Sequence, residues 1–226
     1  MKKNPHYLEH RKRLKARYES AGLAGLQDYE IVELLLCYAI PQGDVKPRAK
    51  ALLDRFGTLA AILEADRTAL EEITGIGPHS SFLFKLMKEV SALYLLQKAE
   101  AREQVSSTRE LIDYCRTAMG SLKDEQFRVI YLNARNRIIR EEIIQEGIVN
   151  QAVVYPRKVL EKALANKASA IILVHNHPSG HVRPSDADVR LTRLLQDTAR
   201  VMDIAVHDHL IVGENRFFSF REEGML

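Results

Sequence analysis

From about residue 6 to residue 103 the apolar residues recur three and four positions apart, the spacing of amphipathic helices. Helices are expected over 7–21, ending near Gly22, and over 29–38, stopping before Pro41-Gln42-Gly43. A third is expected over 47–56, closed by Gly57 at the position after its C-cap. Two short helices follow over 59–63 and 68–73, then a long one over 80–99. Asp66 or Thr68 is placed to cap the second short helix, and Thr68 with Glu71 has the spacing of a capping box. No strand-like alternation occurs in this half.

The pattern breaks over 101–107, a polar Ala-Arg-Glu-Gln-Val-Ser-Ser stretch, which divides the chain into a helical domain of residues 1–103 and a second domain of residues 104–226. Ser107 and Glu110 match a second capping box, opening a helix that runs to about Met119. Strand periodicity then takes over: 127–133 and 137–145 flank Ala134-Arg135-Asn136 as a hairpin, and 148–154 is a third strand. Pro156 suits the first position of a helix over 156–166. The run Ala-Ile-Ile-Leu-Val over 170–174 is apolar throughout, as in a strand covered on both faces. A helix over 186–201 and strands over 204–212 and about 216–220 complete an α/β domain with a mixed sheet, so the chain as a whole is α+β.

Composition narrows the setting. Of 226 residues, 46% are hydrophobic and 28% charged, as expected of a soluble globular protein. The net charge of +3 admits a nucleic-acid partner without arguing for one. The first 17 residues carry Lys2, Lys3, Arg11, Lys12, Arg13, Lys15 and Arg17 against Glu9 alone, a solvated helix face or a phosphate-binding arm. Only Cys37 and Cys115 are present, which suits a reducing, cytoplasmic protein. The charged N-terminus speaks against a secretory signal, and no apolar run approaches a membrane span.

The candidate chemistry begins where the apolar strand ends. In extended chain residues i and i+2 point to one side, so His175 and His177 present two imidazoles together. Pro178-Ser179-Gly180 forces a turn. Ser185 is a natural N-cap and puts Asp188 in the first turn of the next helix, facing back. Two imidazoles and one carboxylate form a catalytic type of zinc set, leaving one position open to water. Each part has an ordinary alternative: a His-x-His pair at a strand end is commonly incidental, and Ser185 with Asp188 is also a plain capping arrangement.

His175-x-His177, seven residues, then Ser185-x-x-Asp188 resembles the JAMM (MPN-domain) metallopeptidase motif in every spacing. The wording His-Asn-His-Pro-Ser-Gly with the later Pro-Ser-x-x-Asp is similar to the bacterial RadC-like branch, as are Tyr155-Pro156-Arg157, Asp208-His209 and the Gly75-Ile76-Gly77 hairpin. The resemblance implies an MPN fold, cytidine-deaminase-like in architecture, with one zinc per chain held by His175, His177 and Asp188. It implies hydrolysis of an amide, peptide or isopeptide bond in a protein or peptide substrate. It also implies an upstream glutamate as general acid/base and Ser185 as a donor to the oxyanion. Within Arg-Glu-Glu-Ile-Ile-Gln-Glu-Gly over 140–147, period-2 alternation puts Glu142 and Glu146 on one face and Glu141 on the other, and the family pattern selects Glu142. Among the other histidines, His181 lies in the loop between ligands, and Asp208-His209 reads as structural or as support behind the ligands.

In the helical half, Leu70 to Ile73, then Thr74-Gly75-Ile76-Gly77-Pro78-His79, then a helix, has the arrangement of a helix-hairpin-helix. Its glycines would let backbone N–H groups approach a phosphate without reading bases; a tight interhelical turn explains them equally. Lys85 and Lys88 are the nearest downstream cations, so DNA binding would be weak, non-specific and salt-dependent. Two functions are therefore in view: a zinc-dependent metallopeptidase, or a DNA-binding accessory protein of repair or recombination with a structural or inactive metal site.

Overall fold

The computed structural model describes residues 6–100, 109–147 and 154–226. The polar stretch over 101–107, the Ser107 cap and all but the last residue of the strand expected over 148–154 lie outside these residues. The chain divides into two compact units, one up to Val90 and one from Ser91 onward.

The first unit is helical: α1 (His6–Ala21), a 3-10 turn (Leu23–Gly25), α2 (Asp28–Ala39), α3 (Lys46–Phe56), α4 (Leu59–Glu64), α5 (Arg67–Glu71) and the start of α6 (Pro78–Glu100). Val32, Leu36, Leu52, Ile62, Leu70 and Phe84 form its core. At the start of α2 the Glu30 carboxylate accepts from the Gln27 N–H at 3.0 Å, one half of a capping box, which the sequence did not suggest because glutamine is not a favoured N-cap. Asp66 takes the N-cap position of α5, so Thr68 is the second residue inside the helix and the expected box with Glu71 does not form. The basic run is partly folded back onto its own unit. Arg11 donates to the carbonyls of Ile40, Pro41 and Gly43 at 2.7, 2.7 and 2.9 Å, satisfying groups just beyond the C-terminus of α2. Arg17 pairs with Glu30, and Lys15 lies over the Tyr38 ring.

The second unit contains α7 (Arg109–Met119), β1 (Glu125–Leu132), β2 (Ile138–Gly147), α8 (Pro156–Ala165), β3 (Ala170–Asn176), α9 (Asp186–Val201), β4 (Ala205–Val212) and β5 (Phe217–Ser219). The sheet order is β2-β1-β3-β4-β5; β3 and β4 are parallel and the other pairs antiparallel. Every residue of β3 is buried, because both faces of the sheet are covered. Leu111, Cys115 and Met119 of α7 pack on Ile130, Ile172, Val174 and Leu210. On the other face, Val159 and Leu160 of α8 and Leu195 and Ala199 of α9 pack on Val129, Ile171 and Leu173.

One irregularity in the sheet corrects the face assignment of the glutamates. Phe127 pairs with Gln145 but Arg128 pairs with Ile143, leaving Ile144 as an extra residue in β2. Glu142 sits opposite Val129 and Glu146 opposite Gln126, and these partners point to opposite faces. Glu142 and Glu146 therefore do not share a face; Glu146 joins Glu141. A bulge breaks period-2 alternation without leaving a mark in composition. Among the described residues no helix is long and apolar enough to cross a membrane, and both cysteines are free.

Candidate metal centre

The site forms at the C-terminal end of β3, where the pairing stops and side chains are released from the core. His175 is the penultimate strand residue, and the backbone N–H of His177 still bonds to the carbonyl of Val212 on β4 at 3.0 Å. The turn that follows has Gly180 at φ 74, a conformation that glycine adopts without strain. The chain then enters α9 through Ser185. The Ser185 hydroxyl accepts from the Asp188 N–H at 3.2 Å, and Asp188 Oδ2 accepts from the Ser185 N–H at 2.7 Å. This capping box fixes the Asp188 carboxylate in the direction of the two histidines.

Three side chains meet there. His175 Nε2 and His177 Nε2 are 3.0 Å apart, His175 Nε2 is 3.4 Å from Asp188 Oδ1, and His177 Nε2 is 3.7 Å from Asp188 Oδ2. A tetrahedral ion with bonds of about 2.0–2.1 Å would hold its donors roughly 3.3 Å apart, so these spacings fit a first-row divalent metal without rearrangement. One ligand atom from each residue lies within 4.8 Å of the others, and this is the grouping of this kind among the described residues.

The hydrogen bonds behind the imidazoles set which nitrogen faces inward. His177 Nδ1 is 2.6 Å from the carbonyl of His181, which can only accept, so Nδ1 carries a proton and the neutral ring presents its lone pair on Nε2. His181 thus serves through its backbone, while its ring is exposed. His175 Nδ1 is occupied by His209 Nε2 at 2.8 Å, and its Nε2 also points into the group. Burial pushes the His175 pKa down to about 4, against the pull of Asp188, which keeps this imidazole neutral as a metal ligand must be. Asp188 raises the His177 pKa. At Asp188 burial acts upward but is outweighed by the His177 hydrogen bond, by His175 and by Ser185, so the carboxyl is held well below the usual range. Two imidazole nitrogens and a carboxylate that stays charged form a donor set suited to a divalent cation.

The structure brings Ser185 into this group and leaves Glu142 outside it. Glu142 sits two residues from the His175 level of the sheet and two strands away, where Lys162 Nζ at 2.7 Å and Asn166 Nδ2 at 3.0 Å hold it. Those bonds, Lys162 first, lower its pKa. Its neighbours are committed too: Glu141 pairs with Arg128 and accepts from Tyr114, and Glu146 accepts from Gln126. Among the described residues Glu125, at the start of β1, brings a carboxyl group within electrostatic range of the site. Phe127 lies opposite His175, and continuing that antiparallel register by two residues puts Glu125 beside His177 on the same face. Burial raises the Glu125 pKa; His177 lowers it and Asp188 raises it, which places both within electrostatic range. Asn176 holds this segment in place, accepting from the Gln126 N–H at 2.8 Å and donating to the Asp124 carbonyl at 3.1 Å. Sequence periodicity had no means of finding Glu125, since its link to His177 is a cross-strand register and not a spacing along the chain.

His209 is fully buried against His175, stacked on Phe220. Asp208 faces the other way, accepting from the His209 N–H, the Ser219 hydroxyl and the Arg221 N–H at 2.7, 2.7 and 3.1 Å, and so ties β4 to β5 and the residues after it. In the helical unit, Gly75 has φ 84, and Arg48 Nε would lie 2.3 Å from a Cβ placed there. That arginine is one cation beside the hairpin, and Arg67, which donates to the Pro78 carbonyl at 3.2 Å, is another. Lys88, by contrast, is bound to Glu64.

A family model described as a RadC-like JAB domain matches residues 105–225, a span that contains the whole of this site.

Proposed function

The chain belongs to the RadC-like JAB domain family, and on that premise we propose that it is a zinc-dependent hydrolase of the JAMM metallopeptidase type, with one zinc per chain, acting on an amide, peptide or isopeptide bond. The observation that carries this reading is the convergence of two imidazole Nε2 atoms and the Asp188 carboxylate at metal-ligand spacing. Bound there, zinc would supply Lewis acidity and lower the pKa of a water from 15.7 toward about 7.

The chain's own residues supply the rest. Glu125 is the proton carrier in this proposal, in place of Glu142: its raised pKa suits a group that must take a proton and then give it to a leaving amine. The Ser185 hydroxyl already accepts the Asp188 N–H and gives its own proton to Asp188 Oδ2 at 2.6 Å. Service as an oxyanion donor requires that proton to turn toward the substrate. Asp188 Oδ2 keeps the Ser185 N–H bond when it does so.

The test is metal analysis of the purified chain together with hydrolysis of peptide and isopeptide amides, with and without a chelator. One zinc per chain and chelator-sensitive cleavage are expected. A chain that takes up no divalent metal would sink the reading.

A second reading concerns the helical unit. The Arg48 guanidinium beside Gly75 supports a helix-hairpin-helix that contacts a phosphate backbone weakly and without base specificity. Duplex binding at low salt that weakens in Arg48→Ala, and fades as salt rises, is the expected outcome. Affinity that is equal in the variant would remove this part.

A further inference from the structure

A buried chain of hydrogen bonds runs from the ligand histidine back to the ligand aspartate. His175 Nδ1 is 2.8 Å from His209 Nε2, His209 Nδ1 is 2.6 Å from Thr192 Oγ1, and Thr192 Oγ1 is 2.6 Å from the backbone carbonyl of Asp188. Residues 175, 209 and 192 are 1%, 0% and 1% exposed, so water does not supply alternative partners. Phe127 stacks on His175 at 5.9 Å and Phe220 on His209 at 4.8 Å, holding the ring planes.

The proton positions along this chain follow from its far end. The Asp188 carbonyl can only accept, so the single Thr192 hydroxyl proton is donated to it; two oxygens 2.6 Å apart with no proton between them would repel. Thr192 Oγ1 must then accept from His209, which puts a proton on His209 Nδ1. A neutral His209 with Nδ1–H has a lone pair on Nε2, and that lone pair must accept from His175 Nδ1–H. His175 is left with a lone pair on Nε2, the atom that faces His177 and Asp188. On the reading of His175 as a metal ligand, we infer that Thr192 and His209 are positioning residues: one helix hydroxyl, through a second histidine, sets the tautomer in which His175 can bind a metal. The loop closes on itself, since the carbonyl that orients Thr192 belongs to the residue whose carboxylate is the third ligand.

The test reads histidine tautomers in the metal-free protein by long-range proton–nitrogen correlation, alongside zinc affinity by competition. In the wild-type chain both His175 and His209 should be Nδ1–H tautomers. Thr192→Val removes the acceptor for His209 Nδ1–H, so His209 should move to the Nε2–H form, drive the His175 proton onto Nε2, and weaken zinc binding about 10- to 100-fold. Thr192→Ser, which keeps the hydroxyl, should restore both tautomers and the affinity. Either histidine as Nε2–H in the metal-free wild type overturns the inference without any variant, as does a folded Thr192→Val protein with unchanged tautomers and affinity. Both tautomers in place with no zinc uptake would support the relay and remove the hydrolase reading instead.

Discussion

Glu125 and Glu142 lie on the same face of one sheet, yet their surroundings push them in opposite directions. Glu142 has Lys162 and Asn166 as hydrogen-bond donors, with Arg140 3.3 Å away, and its pKa is lowered. Glu125 is half-buried, the charges acting on it are those of His177 and Asp188, and its pKa is raised. A carboxylate neutralised by a lysine is satisfied and inert; one that is desolvated beside a metal-ligand group is poised to exchange a proton. Type and approximate position along the chain do not separate the two residues. Environment does.

The sharpest way to break this contrast is to remove one of the charged groups that act on Glu125. Asp188→Ala takes away one of the three proposed ligands, so zinc uptake should fail and amide hydrolysis should fall by on the order of 1,000-fold or more, as read by metal analysis and initial rates. Next comes the direct comparison of the two glutamates. Glu125→Gln should retain zinc and lose about 100- to 10,000-fold in rate, whereas Glu142→Gln should stay close to wild type in the same assay. The opposite ranking would return the role to Glu142. With the wild-type chain, the acid limb of the pH–rate profile should lie above the ordinary glutamate value of about 4.3.

Zinc itself should stabilise the second unit by about 2.7 kcal/mol when present at 100 times its dissociation constant, seen as a melting shift that a chelator reverses. The smallest effects sharpen the comparison most, because they differ in sign. In metal-free protein, Glu142→Gln should lose at most about 1 kcal/mol, since Lys162 is 45% exposed and solvent screens the pair. That loss is present above the unfolded glutamate pKa of about 4.3 and disappears as pH falls through the lower folded value. Glu125→Gln should instead gain up to about 1 kcal/mol at neutral pH, because it removes the cost of ionising a half-buried carboxyl. As pH falls through the raised folded pKa to below about 4.3 the gain vanishes, the carboxyl then being protonated in both states. Denaturant unfolding of the two variants at pH 7, and again below the folded pKa of each glutamate, measures both signs and their loss.

The same distinction between local and distant contacts explains what was legible before the fold was known. Among the described residues the order of helices and strands follows the hydrophobic period closely; α5 stops at Glu71 short of residue 73, and Asp66 rather than a Thr68–Glu71 box begins it. Period-2 alternation puts Glu142 and Glu146 on one face because it counts residues and cannot count a bulge at Ile144. Thr192 was within reach of the sequence, four residues after Asp188 on the same helix face, but nothing pointed to a partner for its hydroxyl until His209 was brought to it.

The sequence by itself determined the candidate ligand set. His175 and His177 alternate along a strand end, and Ser185 and Asp188 close a capping box; both relations extend over two or three residues, and the whole set lies between positions 175 and 188. Tertiary structure alone decided what surrounds that set. Glu125 arrives through the pairing of β1 with β3, and His209 through the parallel pairing of β4 with β3. Strand register is a long-range choice made by the packing of both sheet faces, and no periodicity along the chain encodes it.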